Sequence, residues 1–280
     1  MLLLLTFLSP SSAAVSPKSI RVVMDNNYPP FTFLDSTGKL HGILIDQWAL
    51  WEQKTGIKAE ITGMDWGAAL QKMEAGEYDV IDTIFFNEKR ARVFDFTKPY
   101  QSIDVPIFFH ESISGVRDAA SLPGFAVAVK KGDNAIDYLR QHGVDRLIEY
   151  NSYEEIIDAA KEHKALVFVV DKPPALYFLY KKGIYREFNH SKPLYTGEFH
   201  RAVKKGNAAL LKTVEEGFAA ISPAEYDAIN ERWYGSKGFP VQYLRWLALA
   251  AAFIAAFMLF LIAWNRTLRR AVRRKTAQLE

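Results

Sequence analysis

Glu77-Tyr78-Asp79-Val80-Ile81-Asp82-Thr83-Ile84-Phe85-Phe86-Asn87-Glu88-Lys89-Arg90, continued at Asp95-Phe96-Thr97-Lys98-Pro99-Tyr100, decides how the rest of the chain is read. Gly76 supplies a turn, and the apolar run over 80–84 reads as a buried strand that follows a helix. A polar segment, Asn87-Glu88-Lys89-Arg90, comes next, then a second short strand over 93–96. Open α/β sheets place ligands in the crevice at the carboxyl ends of their strands, and Arg90 stands just past such an end. Its guanidinium is always charged and presents a planar fork that matches a carboxylate. On residue type alone the same arginine reads as a surface residue in a Lys/Arg-rich turn.

Working outward, strands and helices alternate along the chain. A strand over 20–24 leads to a loop over 25–33, where Pro29 and Pro30 oppose regular structure. An amphipathic helix follows from 42–46 to about 55 and is ended by Gly56. A strand at 59–62 precedes a helix opened by Asp65 as N-cap. Beyond the central stretch, a strand over 103–109 crosses into a second lobe. Strands are expected at 125–129, 148–150 and 166–170. Between and after them lie helices opened by Lys130-Lys131-Gly132-Asp133-Asn134, by the capping box Ser152-Tyr153-Glu154-Glu155, and by Asp171-Lys172-Pro173-Pro174. The chain returns to the first lobe near 194, and two helices over 207–221 and 222–235 close it. The alternation predicts an α/β fold, with a mainly parallel sheet in the second lobe.

Composition narrows the function classes. The chain has 280 residues, 49% of them apolar, and no cysteine, so a disulfide framework, a thiol nucleophile and a cysteine-based zinc site are all excluded. Residues 266–280 carry six basic side chains against Glu280, a net of +5, which leaves the rest of the chain at −2 within the total of +3. A nearly neutral body argues against a nucleic-acid surface. The six histidines, at 41, 110, 142, 163, 190 and 200, are scattered and form no metal-ligand spacing. Gly-x-Ser-x-Gly, His-Glu-x-x-His, P-loop and Gly-x-Gly-x-x-Gly motifs are absent from the sequence. No enzyme, metal or cofactor is therefore expected.

The central stretch, with its Gly-x-Tyr-Asp-Val-Ile, its x-x-x-Arg and its Asp-Phe-Thr-x-Pro-Tyr, resembles the signature of the family 3 bacterial extracellular solute-binding proteins. Tyr28-Pro29-Pro30-Phe31, the Gly42-x-x-x-Asp46 block and the closing Trp233-Tyr234-Gly235 carry the same resemblance, which covers about 20–235. It implies a two-lobed Venus flytrap fold of the periplasmic-binding-protein kind, followed here by one membrane helix. It implies that Arg90 holds a ligand carboxylate, with Asn87 standing where the family has threonine, and that Asp171 pairs with a ligand ammonium. Tyr28, Phe31, Trp66 and Phe85 would supply aromatic walls, with Thr83 also in the binding set. Asp133 stands where the family has Ser or Thr, and it reads either as a ligand contact or as a helix cap carrying its own charge. The expected ligand is an amino acid or a related amine.

The expected organisation is a signal peptide at 1–17, a solute-binding domain at 18–238, a transmembrane helix at 244–264 and a cytoplasmic helical linker at 265–280 that stops mid-pattern. Within the domain, lobe 1 is about 18–103 and 195–238, and lobe 2 about 104–194. Trp246 to Trp264 holds no charged residue, and the arginines after it place the C-terminus in the cytoplasm. Leu268, Val272 and Leu279 follow a spacing compatible with a homodimeric coiled coil. Two readings then compete. In one, a periplasmic sensor anchored in the inner membrane passes ligand closure to an output domain. In the other, the chain is a membrane-tethered binding component of an amino-acid ABC importer. An enzyme on the same fold is the third.

Overall fold

The computed structural model describes residues 18–235 and 241–276. The expected signal peptide, the connection at 236–240 and Leu279 lie outside the described residues, as does the side chain of Val272.

In chain order, β1 (Ser19–Asp25) is followed by three short strands, β2 (Asn27–Tyr28), β3 (Thr32–Leu34) and β4 (Leu40–His41), and by α1 (Ile43–Thr55). Then come β5 (Lys58–Met64), α2 (Trp66–Glu74), β6 (Val80–Phe85) and β7 (Phe94–Phe96). The long strand β8 (Gln101–His110) leads to β9 (Val127–Lys130), α3 (Asn134–Gln141), β10 (Leu147–Tyr150), α4 (Tyr153–Lys161), β11 (Val167–Val169) and α5 (Lys172–Lys181). A second long strand, β12 (Phe188–Lys204), is followed by α6 (Ala208–Ala219) and α7 (Pro223–Tyr234).

The main sheet runs β10-β9-β11-β8-β12-β6-β1-β5, with β7 added on β12. Its two ends are parallel: β5 and β6 flank β1, and β10 and β11 flank β9. Its middle is the antiparallel pair β8–β12, in register from Phe188 opposite His110 to Phe199 opposite Gln101, with shifts at His190/Pro193 and Pro193/Tyr195. Each parallel end with its helices is one lobe, and the two long strands run through both. The strand expected over 103–109 lies within β8, and the return near 194 lies within β12, its antiparallel partner.

β1 shows why the first lobe forms. Ile20, Val22 and Met24 alternate with Val23, and the period of two sends them to opposite faces. On one face they meet Trp48 and Trp51 of α1 and Val214 and Phe218 of α6. On the other, Val23 meets Trp66, Ala69 and Met73 of α2. Gly42 precedes α1 at φ +135, where an added Cβ would lie 2.1 Å from the Phe31 carbonyl oxygen, so only glycine fits. The helix ends at Gly56 in the left-handed region.

Two local expectations need correction. The 25–33 segment is not irregular: β2, β3 and β4 form a small antiparallel sheet, in which Asn27 pairs with Phe33 and Tyr28 with Thr32. Pro29 and Pro30 fall in the turn between paired residues, where no ladder N–H is needed. Asp65 stands at the N-cap of α2, but its side chain makes no capping hydrogen bond.

The second unit begins at Tyr234 and contains α8 (Val241–Thr276). Its 26-residue stretch Arg245–Arg270 is long and apolar enough to cross a membrane. At 1.5 Å per residue that is roughly 39 Å, against a hydrocarbon core of about 30 Å.

Candidate functional site

The site lies between the lobes, at the carboxyl ends of the parallel strands. Asp25 ends β1, Phe85 ends β6, Lys130 ends β9, and Asp171 follows β11 by two residues. A cavity between them is lined by Asp25, Tyr28, Trp66, Thr83, Phe85 and Arg90 of the first lobe and by Asp133, Asn134, Tyr153 and Asp171 of the second. Its volume is about 20 Å³, which suits one water molecule. The expected amino-acid ligand would need more room than this.

Arg90 opens a short 3₁₀ turn (Arg90–Arg92) and is 8% exposed. It donates from Nη1 to the Phe85 carbonyl oxygen at 2.8 Å and from Nη2 to that of Gly132 at 3.0 Å, and its guanidinium stands 5.7 Å from the Trp66 ring centroid. A guanidinium has five N–H donors, so these two bonds orient it and leave others for a ligand. Among the described residues it forms no ion pair. Burial pulls its pKa down, and the charge of Asp133 opposes that shift.

Asp171 stands at the N-cap of α5, yet its side chain makes no capping bond. The carboxylate turns into the cavity, where Oδ2 accepts from Tyr28 Oη at 2.6 Å and from Tyr153 Oη at 3.1 Å. Oδ1 is buried and has no hydrogen-bond partner among the described residues. Burial, reinforced by the charge of Asp133, pushes the Asp171 carboxyl up to about 8. Burial also holds the Tyr28 and Tyr153 hydroxyls well above their usual range, with the Asp171 charge adding to it. Asp133 itself caps α3, accepting from Ala135 N at 2.8 Å. Its pKa is raised by burial, which the Ala135 bond and Arg90 oppose.

Thr83 holds φ +62, a conformation that a β-branched residue rarely adopts and that clusters at binding sites. The buried Asp82 fixes it. Asp82 Oδ1 accepts from Thr83 N at 2.7 Å and Tyr100 Oη at 2.6 Å, while Oδ2 accepts from Trp48 Nε1 at 2.8 Å and Arg201 Nε at 3.1 Å.

Of the residues expected from the sequence, Arg90, Asp171, Tyr28, Trp66, Thr83, Phe85 and Asp133 come together around the cavity. Phe31 and Asn87 do not line it. Phe31 packs behind the wall, 5.7 Å from the Tyr28 ring and 5.5 Å from that of Phe199. Asn87 is a brace: Oδ1 accepts from Arg90 N at 2.8 Å, and Nδ2 donates to Asn134 Oδ1 of the other lobe at 2.8 Å. Sequence reasoning missed Asp25, Lys130, Asn134 and Tyr153. The rule that placed Arg90 also applies to Asp25 and Lys130, each a charged residue closing an apolar strand.

The family described as bacterial extracellular solute-binding proteins, family 3, matches residues 20–236. The L-cystine-binding protein TcyJ of Escherichia coli (strain K12) is 26% identical over 229 residues, covering 78% of this chain and 83% of that protein. The virulence sensor protein BvgS of Bordetella pertussis (strain Tohama I) is 25% identical over 265 residues, covering 91% of this chain but only 21% of BvgS. Among solved structures, a histidine kinase sensor domain with similarity to periplasmic binding proteins superposes with a TM-score of 0.73 at 25% identity, covering 78% of this chain and 97% of its own. An ancestral arginine-binding protein bound to glutamine gives 0.70 at 26% identity, covering 79% of this chain and 100% of its own.

Proposed function

Because this chain belongs to the bacterial extracellular solute-binding proteins, family 3, we propose that its interlobe cleft takes up a small amino-acid-like zwitterion. The observation that carries this reading is the opposition of Arg90 and Asp171. One lobe offers an oriented guanidinium with donors to spare, and the other a buried carboxylate with one open oxygen. A ligand carboxylate on Arg90 and a ligand ammonium on Asp171 would satisfy both. Tyr28, Trp66, Phe85 and Tyr153 wall the space between them, and Thr83 borders it.

In this reading the lobes at about 18–103 with 195–238, and at about 104–194, turn on β8 and β12. Binding favours the closed form by its differential affinity for that form. The helix at 244–264 then crosses the inner membrane, with the binding domain in the periplasm and the linker at 265–280 inside. A homodimer through these helices would carry the change to an output domain. The apolar stretch at Arg245–Arg270 supports a span. The BvgS similarity supports a sensor, because 91% of this chain must reach beyond residue 236 into that stretch. The TcyJ similarity, over 78% of this chain and 83% of that binding protein, favours the second reading, a tethered binding component of an amino-acid importer.

Native mass spectrometry of the full chain released from detergent micelles tests the ligand class. The expected result is a co-purified mass, or an added one, that corresponds to a single amino acid. Retention of none of the twenty amino acids would contradict it.

A further inference from the structure

The cleft is richer in acid than one zwitterion requires. Asp25, Asp133 and Asp171 all line it, against Arg90, with Lys130 behind the wall and paired with Asp25. Taken by themselves, three carboxylates suggest a ligand with two cationic groups, one for the α-ammonium site and one for its side chain. The partners of each carboxylate oppose that. Asp133 is engaged at the N-terminus of α3, with Ala135 N on Oδ1 and Tyr153 Oη 3.4 Å from Oδ2. Asp25 has both oxygens engaged: Oδ1 accepts from Asn27 N at 2.9 Å, and Oδ2 is ion-paired with Lys130 Nζ from the opposite lobe. Lys130 is wholly buried, and its ammonium stands 4.0 Å from the Tyr153 ring centroid. Of the three carboxylates, Asp171 alone keeps a buried oxygen without a partner among the described residues.

We infer that Lys130 is a specificity-determining residue of the cleft: it supplies from the protein the cation that Asp25 would otherwise draw from a ligand side chain, and so restricts the site to amino acids whose side chains are neutral. The inference rests on the amino-acid reading above and narrows it. A basic side chain reaching toward Asp25 would meet a carboxylate already neutralised and a like charge beside it, out of reach of water, where repulsion is weakly screened. An acidic side chain gains nothing there either, because Lys130 is paired with Asp25 and stacked on Tyr153. Lys130 closes the apolar strand β9, and its neighbour Lys131 is exposed. Of the two lysines, only the first is buried beside Asp25 and Tyr153.

The test is competitive calorimetry on the full chain in detergent micelles, with the twenty amino acids as probes, for the wild type and Lys130→Met. Methionine keeps the length of the stem and removes the charge. The wild type should bind its preferred neutral amino acid at least tenfold more tightly than L-arginine or L-lysine. In Lys130→Met, Asp25 is free to take a ligand cation, and that ratio should fall at least tenfold or invert. Adding Asp25→Asn to Lys130→Met should abolish the gain in arginine binding. If Lys130→Met does not fold, Lys130→Gln is read in its place, and the wild-type ratio decides by itself. Wild-type binding of arginine or lysine as tight as that of any neutral amino acid overturns the inference and leaves the amino-acid reading standing. An unchanged ratio in a folded Lys130 variant also overturns it. Binding of none of the twenty by either protein overturns the inference together with the reading it rests on.

Discussion

Tyr28 and Asp171, 143 residues apart and on opposite lobes, are joined by a hydrogen bond of 2.6 Å in which the Tyr28 hydroxyl donates to Oδ2. The bond brings a hydroxyl of one lobe onto a buried carboxyl group of the other.

Asp171 carries a pKa of about 8, raised by burial and by Asp133 from an ordinary value of 3.8. At pH 6.5 it therefore holds a proton, and a ligand ammonium must displace it. Calorimetry at pH 6.5 in two buffers of different ionisation enthalpy should register the release of about one proton per ligand. Affinity should rise about tenfold per pH unit until pH 8 and then level off. The sign for stability follows from the same shift. Between about pH 4 and 8 the folded state keeps a proton that the unfolded chain has released, so this group's contribution to stability falls as pH rises. Asp171→Asn removes that loss, and its melting temperature should gain on the wild type between pH 6 and pH 9. A constant difference across that range would contradict the assignment.

Asp82 is fully buried and holds Arg201, Trp48, Tyr100 and the strained Thr83. Removing one partner of a buried ion pair leaves the other uncompensated, at a cost of about 3–5 kcal/mol. Asp82→Ala should therefore lose about that much in urea unfolding at pH 7 and should also weaken ligand binding through Thr83. A loss under 1 kcal/mol would place the network among solvated surface pairs instead.

If the apolar helices pair in a dimer, Leu268 is where ligand state should be felt first. It is exposed in the single chain and lies two residues beyond Arg266, where the basic run begins. Leu268→Cys should crosslink between protomers in membranes at a rate that ligand changes severalfold. Crosslinking that ignores ligand, or none at all, would favour the importer reading.

Much of this was legible in the sequence, and the gaps have physical causes. The period-two alternation of Ile20, Val22 and Met24, the glycine at 56 and the apolar run before Arg90 each follow from local chemistry, so the elements they define were readable. Asp171 was readable as a helix cap, but that its carboxylate abandons the cap for Tyr28 depends on a residue from the other lobe. Lys130 was hidden for the same reason. Lys130-Lys131-Gly132-Asp133-Asn134 has the composition of a solvated turn, and only packing against Asp25 and Tyr153 buries the first lysine and leaves the second exposed. Phe31 shows a further limit of residue type: an aromatic beside a binding loop serves the core as readily as the cavity, and here it packs on Tyr28 and Phe199.

In the proposed function, Arg90 anchors an anionic ligand group between the lobes. Calorimetric titration of the preferred amino acid into the wild type and Arg90→Ala tests it most directly, with circular dichroism to establish that both are folded. Truncating one partner of a buried charge pair costs roughly 2–5 kcal/mol, so the variant should bind at least thirtyfold more weakly. Binding by Arg90→Ala within twofold of the wild type would contradict the account.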